Sequence, residues 1–183
     1  MITEAPSAWV VRWTAHLGVG VSVLDLACGG GRHSRLLASR GCKVTAVDSD
    51  GSAARALAAT PNVEFVQADL EANAWPLPRR QFDAVIVTNY LHRPLFAAIR
   101  SALAADSLLI YETFAVGNAA FGRPSNPDYL LRPRELLEVF GADMRVLAFE
   151  DGFIEQPKPA MVQRIAARNA RCDAALPAEL CHL

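Results

Sequence analysis

The sequence predicts an α/β fold with a mostly parallel sheet, and three observations support this prediction. From residue 21 onward, apolar segments alternate with segments of helical periodicity, which is typical of strand-helix-strand units. A cluster of three glycines stands between the first apolar segment and the first helical one. Near the end, two strand-like segments are joined by a short connection that contains Gly and Pro, so we expect them to pair antiparallel.

The individual elements follow from hydrophobic periodicity and from helix start and stop signals. Strands are predicted at residues 21–27, 42–48, 63–69, 82–89 and 107–114, with two more between residues 144 and 169. Helices are predicted at residues 32–39, 52–59, 95–104 and 133–141. Prolines interrupt residues 70–81, so that crossover is expected to be irregular. Residues 8–17 form a further candidate helix, whose Trp9 and Trp13 share one face and are assigned to packing.

Length and charge limit the protein classes to consider. A chain of 183 residues suits one domain, expected at residues 1–171, with an N-terminal helical region at 1–20 and a tail at 172–183. The net charge of -1 and the pI near 6.4 give no overall attraction to nucleic acid or to anionic membranes. A small-molecule partner is therefore favoured over nucleic acid, although a local arginine patch keeps an RNA partner open.

The cysteines and the apolar segments argue against a metal centre and against a membrane anchor. Cys28, Cys42, Cys172 and Cys181 show neither a C-x-x-C pair nor metal-ligand spacing, so no metal site is expected. The N-terminus lacks a signal-peptide pattern, and no segment has the roughly 18 apolar residues of a membrane span. We therefore expect a cytoplasmic protein with reduced thiols.

The glycine cluster, Gly29 to Gly31, is typical of a strand-to-helix turn that binds a ligand. Glycine lets the backbone approach a ligand closely, and a helix N-terminus attracts an anionic group. A phosphate-binding P-loop is excluded, because Arg32 and His33 follow the glycines where Lys and Ser or Thr are required. A dinucleotide fingerprint has a third glycine where this chain has Ser34. A nicotinamide-dependent reductase thus stays open only as the less favoured alternative.

The residues from Asp25 to Gly31, "DLACGGG", resemble the first motif of the class I S-adenosylmethionine (SAM) methyltransferases, acidic-x-Gly-x-Gly-x-Gly, with Ala27 in place of the first glycine. The resemblance implies a Rossmann-like sheet of seven strands, mostly parallel with the last strand antiparallel, and helices on both faces. It also implies SAM as cofactor and S-adenosylhomocysteine as product. In size and motif layout the chain is similar to small bacterial methyltransferases grouped with the tellurite-resistance enzyme, whose substrates are small oxyanions and related compounds.

The same resemblance implies a set of cofactor contacts at the ends of the first four strands. Asp48 fits the carboxylate that binds both ribose hydroxyls, and Asp69 with the next backbone N–H, that of Leu70, fits the pair that binds adenine. Asp25 is expected to hold the glycine loop through backbone N–H groups while its charge faces the methionine ammonium. The full set is Asp25, Ala27, Cys28, Gly29, Gly31, His33, Asp48, Ser49, Asp69, Leu70 and Asn89.

Methyl transfer from a sulfonium is an in-line displacement with a neutral leaving group, so alignment matters most and a base is optional. His92 is the first candidate base and Tyr90 the second, because both follow the fourth strand. Residues 115–131 lack periodicity and are dense in Gly, Pro and Asn, which is typical of a functional loop. The candidate acceptor contacts in and after it are Phe121, Arg123, Tyr129 and Arg132.

The sequence around the fourth motif narrows the acceptor. The adenine-type methyltransferases have an Asn/Asp-Pro-Pro-aromatic motif, whereas this chain has Asn-Tyr-Leu-His, and no cysteine follows a proline as in the cytosine C5 enzymes. The expected function is methyl transfer to a small-molecule acceptor. An RNA or protein methyltransferase and a non-catalytic SAM-binding module stay open as alternatives.

Overall fold

The structure, a computed structural model, describes residues 5–170. A seven-stranded sheet with the order β3-β2-β1-β4-β5-β7-β6 forms its centre. The strands are β1 Ser22–Leu26, β2 Lys43–Asp48, β3 Val63–Gln67, β4 Phe82–Thr88, β5 Leu103–Phe114, β6 Arg145–Ile154 and β7 Ala160–Arg168. The helices are α1 Ala8–Trp13, α2 Arg32–Ser39, α3 Ser52–Leu57, α4 Phe96–Ser101 and α5 Glu135–Phe140. Short 3-10 helices occupy Arg93–Leu95, Asn118–Ala120 and Pro127–Tyr129.

The strand directions confirm the expected sheet. Strands β1 to β5 pair in parallel, and β7 runs antiparallel to both β5 and β6. β1 lies between β2 and β4, so the chain winds outward on both sides of it. Such a reversal opens a crevice at the carboxyl ends of the central strands, which is where open α/β sheets bind ligands.

The core consists of two main clusters, one on each face of the sheet. Along β4, Val85 and Val87 belong to one cluster with α4 and α5, whereas Ala84 and Ile86 belong to the other with α1 and α2. This alternation is the period of two that a strand imposes. Helices therefore cover both faces. The two α1 tryptophans are 3% exposed and their rings lie 5.7 Å apart, which confirms their packing role.

The element bounds differ most from prediction at α1, at the end of α4 and at the start of β5. The helix predicted at residues 95–104 ends at Ser101, because β5 begins at Leu103, earlier than expected. A shift of register between Phe82 and Ala84 accompanies this early start. Residues 68–81 contain no helix, as their prolines predict. Within residues 5–20 the helix occupies only Ala8–Trp13, which is shorter than expected.

Part of the predicted organisation lies outside the described residues, namely the tail at 172–183 with Cys172 and Cys181. No helix in the described part of the chain is long and apolar enough to cross a membrane.

Candidate active site

The carboxyl ends of β1, β2 and β4 border a cavity of about 1090 Å³ beside the glycine turn, here called the glycine-loop cavity. The first turns of α2 and α3 complete its wall. Its lining residues are Ala27, Cys28, Gly29, Gly30, Arg32, Arg35, Asp48, Ser52, Ala53, Arg55, Ala56, Thr88, Asn89 and Tyr90.

The glycine turn owes its shape to left-handed backbone conformations. Gly29 and Gly31 have φ angles of 53° and 75°. A Cβ at Gly31 would lie 2.5 Å from Leu57 Cδ2, so this position fits only glycine. Ala27 also adopts a left-handed conformation, with φ 54°, although its Cβ makes that conformation costly. The turn therefore keeps the backbone shape of a glycine-rich motif even where alanine replaces glycine.

Asp48 is the carboxylate that holds this turn. Its Oδ2 accepts a hydrogen bond of 2.7 Å from the Gly29 N–H, and its Oδ1 accepts one of 2.9 Å from the Asp50 N–H. An extension of about 130 Å³ adjoins the cavity and shares Ala27, Asp48 and Tyr90 with it. Its other lining residues are Ser49, Ala68, Asp69, Leu70 and Glu71. The residues predicted to contact ribose and adenine therefore lie together around two adjoining spaces.

The expectation that Asp25 holds the glycine loop is wrong. Asp25 is 1% exposed, and its Oδ2 accepts a 2.5 Å hydrogen bond from the Ser34 hydroxyl in α2. Asp25 lies within β1 and its carboxylate faces α2, so it does not hold the glycine turn. The Gly29 N–H donates its hydrogen bond to Asp48 instead. Burial raises the pKa of Asp25 to about 6, against the opposing effect of Ser34. Its Oδ1 is buried without a hydrogen-bond partner in the described structure.

His33 lies outside the lining of the glycine-loop cavity, contrary to its prediction as a cofactor contact. It is 1% exposed; its Nε2 accepts a 3.0 Å hydrogen bond from the Ser7 N–H, and its Nδ1 lies 3.4 Å from Thr88 Oγ1. Burial, with the charge of Arg32, lowers its pKa to about 3. A neutral His33 thus connects the N-terminal segment to the end of β4.

The two candidate bases are placed differently. Tyr90 lines the cavity, and burial followed by the nearby charge of Glu71 raises the pKa of its phenol well above the usual value. His92 lines neither this cavity nor the pocket described next. It follows the buried Leu91 and precedes a 3-10 helix, where the chain leaves the end of the sheet.

A second pocket of about 610 Å³, here called the hairpin pocket, adjoins the glycine-loop cavity, and both are lined by Arg32 and Asn89. It is built from the N-terminal segment, the end of β5, the loop after β5 and the β6–β7 hairpin. Its other lining residues are Ala5, Pro6, Ser7, Ala8, Glu112, Phe114, Asn118, Phe121, Arg123, Ile154, Gln156, Pro157, Lys158, Pro159, Ala160, Val162 and Arg164.

Asn118 joins the loop after β5 to the hairpin. Its side chain is buried at 2% exposure. Its Oδ1 accepts a 3.2 Å hydrogen bond from the Met161 N–H, and its Nδ2 donates a 3.0 Å bond to the Pro124 carbonyl. The rings of Phe121 and Phe153 meet 5.0 Å apart across the same junction. These contacts fix one wall of the hairpin pocket.

A second set of contacts holds the N-terminal segment, which forms another wall of the hairpin pocket. The Ser7 hydroxyl donates a 2.8 Å hydrogen bond to Glu112 Oε1. Arg164 forms ion pairs with Glu112 at 3.4 Å and with Glu150 at 3.2 Å. Its guanidinium also lies 5.4 Å from the centre of the Trp9 ring, within the range of a cation–π contact. Glu112 is therefore bonded to two residues of the pocket wall.

Only part of the predicted acceptor set reaches the hairpin pocket. Phe121 and Arg123 line it, whereas Tyr129 and Arg132 do not. Arg132 instead bonds Glu135 at 3.1 Å, next to the stronger 2.7 Å contact from Arg93. Although burial opposes it, Arg93 lowers the pKa of Glu135 to about 2. Arg132 therefore belongs to the ion-pair cluster at the start of α5, a role that its place after a long loop did not reveal.

Sequence reasoning missed several lining residues. The glycine-loop cavity is also lined from the first turns of α2 and α3, by Arg32, Arg35 and Ser52. Both helices follow strands that end at the site, and this order in the sequence is a signal that could have found these residues. Lys158 lies in the Pro-rich connection "EQPKPA", which carried no ligand signal of its own. No group of three or more His, Cys, Asp or Glu residues in the described chain is arranged to hold a metal ion.

Comparison with known proteins shows which family this part of the chain resembles. Residues 23–106 match a family model described as a methyltransferase domain. Over residues 23–106 the chain is similar to methyltransferase domains. The matched residues include the glycine turn and the ends of β1, β2, β3 and β4, so the glycine-loop cavity belongs to the part that defines the family. The comparison with curated proteins gives no match.

Solved structures agree on the class I fold of the methyltransferase domain. TehB from Haemophilus influenzae is 20% identical with a TM-score of 0.76, over 91% of this chain and 63% of TehB, so the chain spans less than two thirds of that protein. A TehB-like SAM-dependent methyltransferase from Corynebacterium glutamicum ATCC 13032 is 20% identical with a TM-score of 0.61, over 87% and 85% of the two chains. The 1,6-didemethyltoxoflavin-N1-methyltransferase from Burkholderia thailandensis is 20% identical with a TM-score of 0.65, over 88% and 76%. That structure holds 1,6-didemethyltoxoflavin and S-adenosylhomocysteine.

Proposed function

We propose that this methyltransferase domain transfers the methyl group of SAM to a small-molecule acceptor and releases S-adenosylhomocysteine. One observation carries the proposal: the glycine-loop cavity and the hairpin pocket are separate spaces that share Asn89 and Arg32 in their walls. A transfer between two bound molecules requires two sites that meet at the reacting atoms. The Burkholderia neighbour, with a small acceptor and S-adenosylhomocysteine bound, supports the same division.

The residues of the glycine-loop cavity fit SAM. Its volume of about 1090 Å³ is sufficient for a nucleoside with an amino-acid arm. Asp48 has oxygen lone pairs left for a ribose diol, and Asp69 with Leu70 lines the extension where adenine would lie. Asp25 lines neither the cavity nor its extension and is 1% exposed, so its observed contact is the one with Ser34 in α2.

The mechanism rests on alignment. Bound SAM supplies an electrophilic methyl group on a positive sulfur. The chain holds the cofactor at the ends of the parallel strands, seats the acceptor in the hairpin pocket and excludes water between them. Among the described residues neither space is lined by histidine, and Glu112 is bonded to Ser7 and Arg164. We therefore propose an acceptor atom that is already nucleophilic, such as a thiolate, an oxyanion or a neutral amine.

Calorimetric titration with SAM, S-adenosylhomocysteine and NADH tests the cofactor assignment. We expect the first two to bind and NADH not to bind. Asp48→Ala removes the ribose acceptor and the Gly29 contact, so both affinities should fall about a hundredfold. Asp83→Asn is the control, because Asp83 binds Ser22 at the opposite end of the sheet. Unchanged affinity in Asp48→Ala, or binding of NADH alone, would contradict the proposal.

Turnover separates an enzyme from a non-catalytic binding module. The protein is incubated with SAM carrying a labelled methyl group and with small thiols, amines and organic acids. We expect label to appear in at least one acceptor and S-adenosylhomocysteine to accumulate in proportion. Tight SAM binding without transfer to any acceptor would favour the binding module, and label in added RNA or protein alone would overturn the small-molecule assignment.

A further inference from the structure

The hairpin pocket has more positive than negative side chains. Among its lining residues the cations are Arg32, Arg123, Lys158 and Arg164, whereas the carboxylate is Glu112. Two of these charges already balance each other, because Arg164 pairs with Glu112 and with Glu150 behind it. The charge that faces a ligand therefore comes from the remaining cations.

Arg123 and Lys158 are the cations free to bind a ligand. Neither has a hydrogen-bond or ion-pair partner among residues 5–170. They lie on different segments, Arg123 on the loop after β5 and Lys158 on the β6–β7 hairpin, and Asn118 bonds these segments together. A guanidinium fork and an ammonium on two joined segments suit a single oxyanion group placed between them.

The rest of the pocket is suited to an apolar body. Phe114, Phe121, Ile154 and Val162 line it, and Pro157 and Pro159 lie on the hairpin side. Its volume of about 610 Å³ falls in the range of roughly 300–1,000 Å³ that organic ligands occupy. A bare inorganic oxyanion would fill a small part of this space and leave the apolar wall in water.

We propose that the acceptor is an organic anion, with a carboxylate or a similar oxyanion group held by Arg123 and Lys158 and an apolar body packed on Phe114 and Phe121. The proposal rests on the proposed function, since it names the class of molecule that the hairpin pocket presents to SAM. The anionic group lies beside the exposed side chains of Arg123 and Lys158, and the nucleophilic atom lies towards Asn89, which lines both spaces.

The test uses matched pairs of probes that differ in charge and little in shape. Benzoate, 3-phenylpropionate and indole-3-acetate are titrated against benzamide, 3-phenylpropionamide and indole-3-acetamide, on protein saturated with S-adenosylhomocysteine and at fixed ionic strength. Selenite is titrated in the same way as the inorganic oxyanion. We expect at least one carboxylate to bind about tenfold or more tightly than its amide and more tightly than selenite.

Variants assign that preference to the two cations. Arg123→Gln and Lys158→Gln should each weaken carboxylate binding about tenfold and leave amide binding unchanged. Arg134→Gln is the matched control, an exposed arginine outside the pocket lining. Unchanged affinity for S-adenosylhomocysteine in each variant shows that the variant is folded.

Three results would overturn the inference: no carboxylate binding more tightly than its amide, tighter binding of selenite than of every carboxylate, or an equal loss in Arg134→Gln. Failure of S-adenosylhomocysteine to bind the unmodified protein is a separate result, which counts against the proposed function itself.

Discussion

The glycine-loop cavity and the hairpin pocket adjoin each other but are built in different ways. The glycine-loop cavity is formed by strand ends and helix starts that follow each other closely in sequence, and its turn is held by a backbone N–H bound to Asp48. The hairpin pocket joins segments far apart in sequence, and side chains hold it, as in the bond from Ser7 to Glu112 across 105 positions. Left-handed backbone conformations and one carboxylate thus fix the glycine-loop cavity, whereas long-range side-chain contacts fix the hairpin pocket.

His33 bonds Ser7, which lines the hairpin pocket, and contacts Thr88, which lines the glycine-loop cavity. We expect protonation of His33 at low pH to destabilise the folded protein. Its folded pKa of about 3 lies below the ordinary 6.5, so the unfolded chain takes up the proton first as pH falls. The stability that depends on neutral His33 is fully present above pH 6.5 and is lost as pH approaches 3. This difference corresponds to about 5 kcal/mol of folding free energy.

Urea unfolding at pH 7 and pH 4 measures the part of this contribution that falls above pH 4, about 3 kcal/mol, as the difference between the unmodified protein and His33→Gln. The difference is needed because Asp25, with a raised pKa, contributes a slope of opposite sign between about pH 4 and 6. His92→Gln is the control, since His92 lines neither space. The same pH slope in His33→Gln as in the control would contradict the assignment.

Asn118→Ala should loosen the hairpin pocket alone. The variant leaves the Met161 N–H and the Pro124 carbonyl without their partner. We expect amide hydrogen exchange in residues 115–131 and 155–161 to accelerate about tenfold, which corresponds to about 1.4 kcal/mol. Affinity for S-adenosylhomocysteine should stay within about twofold, because neither partner lines the glycine-loop cavity.

Asn126→Ala is the control in the same loop, since the exposed Asn126 bonds only locally to the Asp128 N–H. Loss of S-adenosylhomocysteine affinity in Asn118→Ala would show that the two spaces are not independent.

Ala27→Gly should stabilise the glycine-loop cavity slightly. Glycine adopts the φ of 54° without the Cβ penalty, although it also gains entropy in the unfolded chain. The expected net gain is about 0.5 to 1 kcal/mol, seen as a rise in Tm of about 2 to 4 °C. Asn62→Gly, at φ 63°, is the control, because asparagine tolerates this conformation. An equal gain at both positions would refute the special strain at Ala27.

The same contrast explains what the sequence could predict. The glycine turn, Asp48, Asp69 and the strand ends follow from local patterns, and the structure brings them together. Asp25 was assigned the wrong bond because the direction of its side chain depends on where α2 packs. His92 and Arg132 lie near the fourth strand and the loop in sequence, but they line neither space, and Arg132 pairs with Glu135. Local patterns do not indicate Lys158 as a lining residue, because the hairpin pocket is formed only when its segment meets the distant loop after β5.

A crystal structure of the S-adenosylhomocysteine complex is the most direct test of two sites meeting at Asn89. We predict that the ribose binds Asp48, that adenine lies beside Asp69 and Leu70, and that the sulfur faces the hairpin pocket past Asn89. A sulfur that faces away from the hairpin pocket, or a ligand bound away from Asp48, would contradict this arrangement.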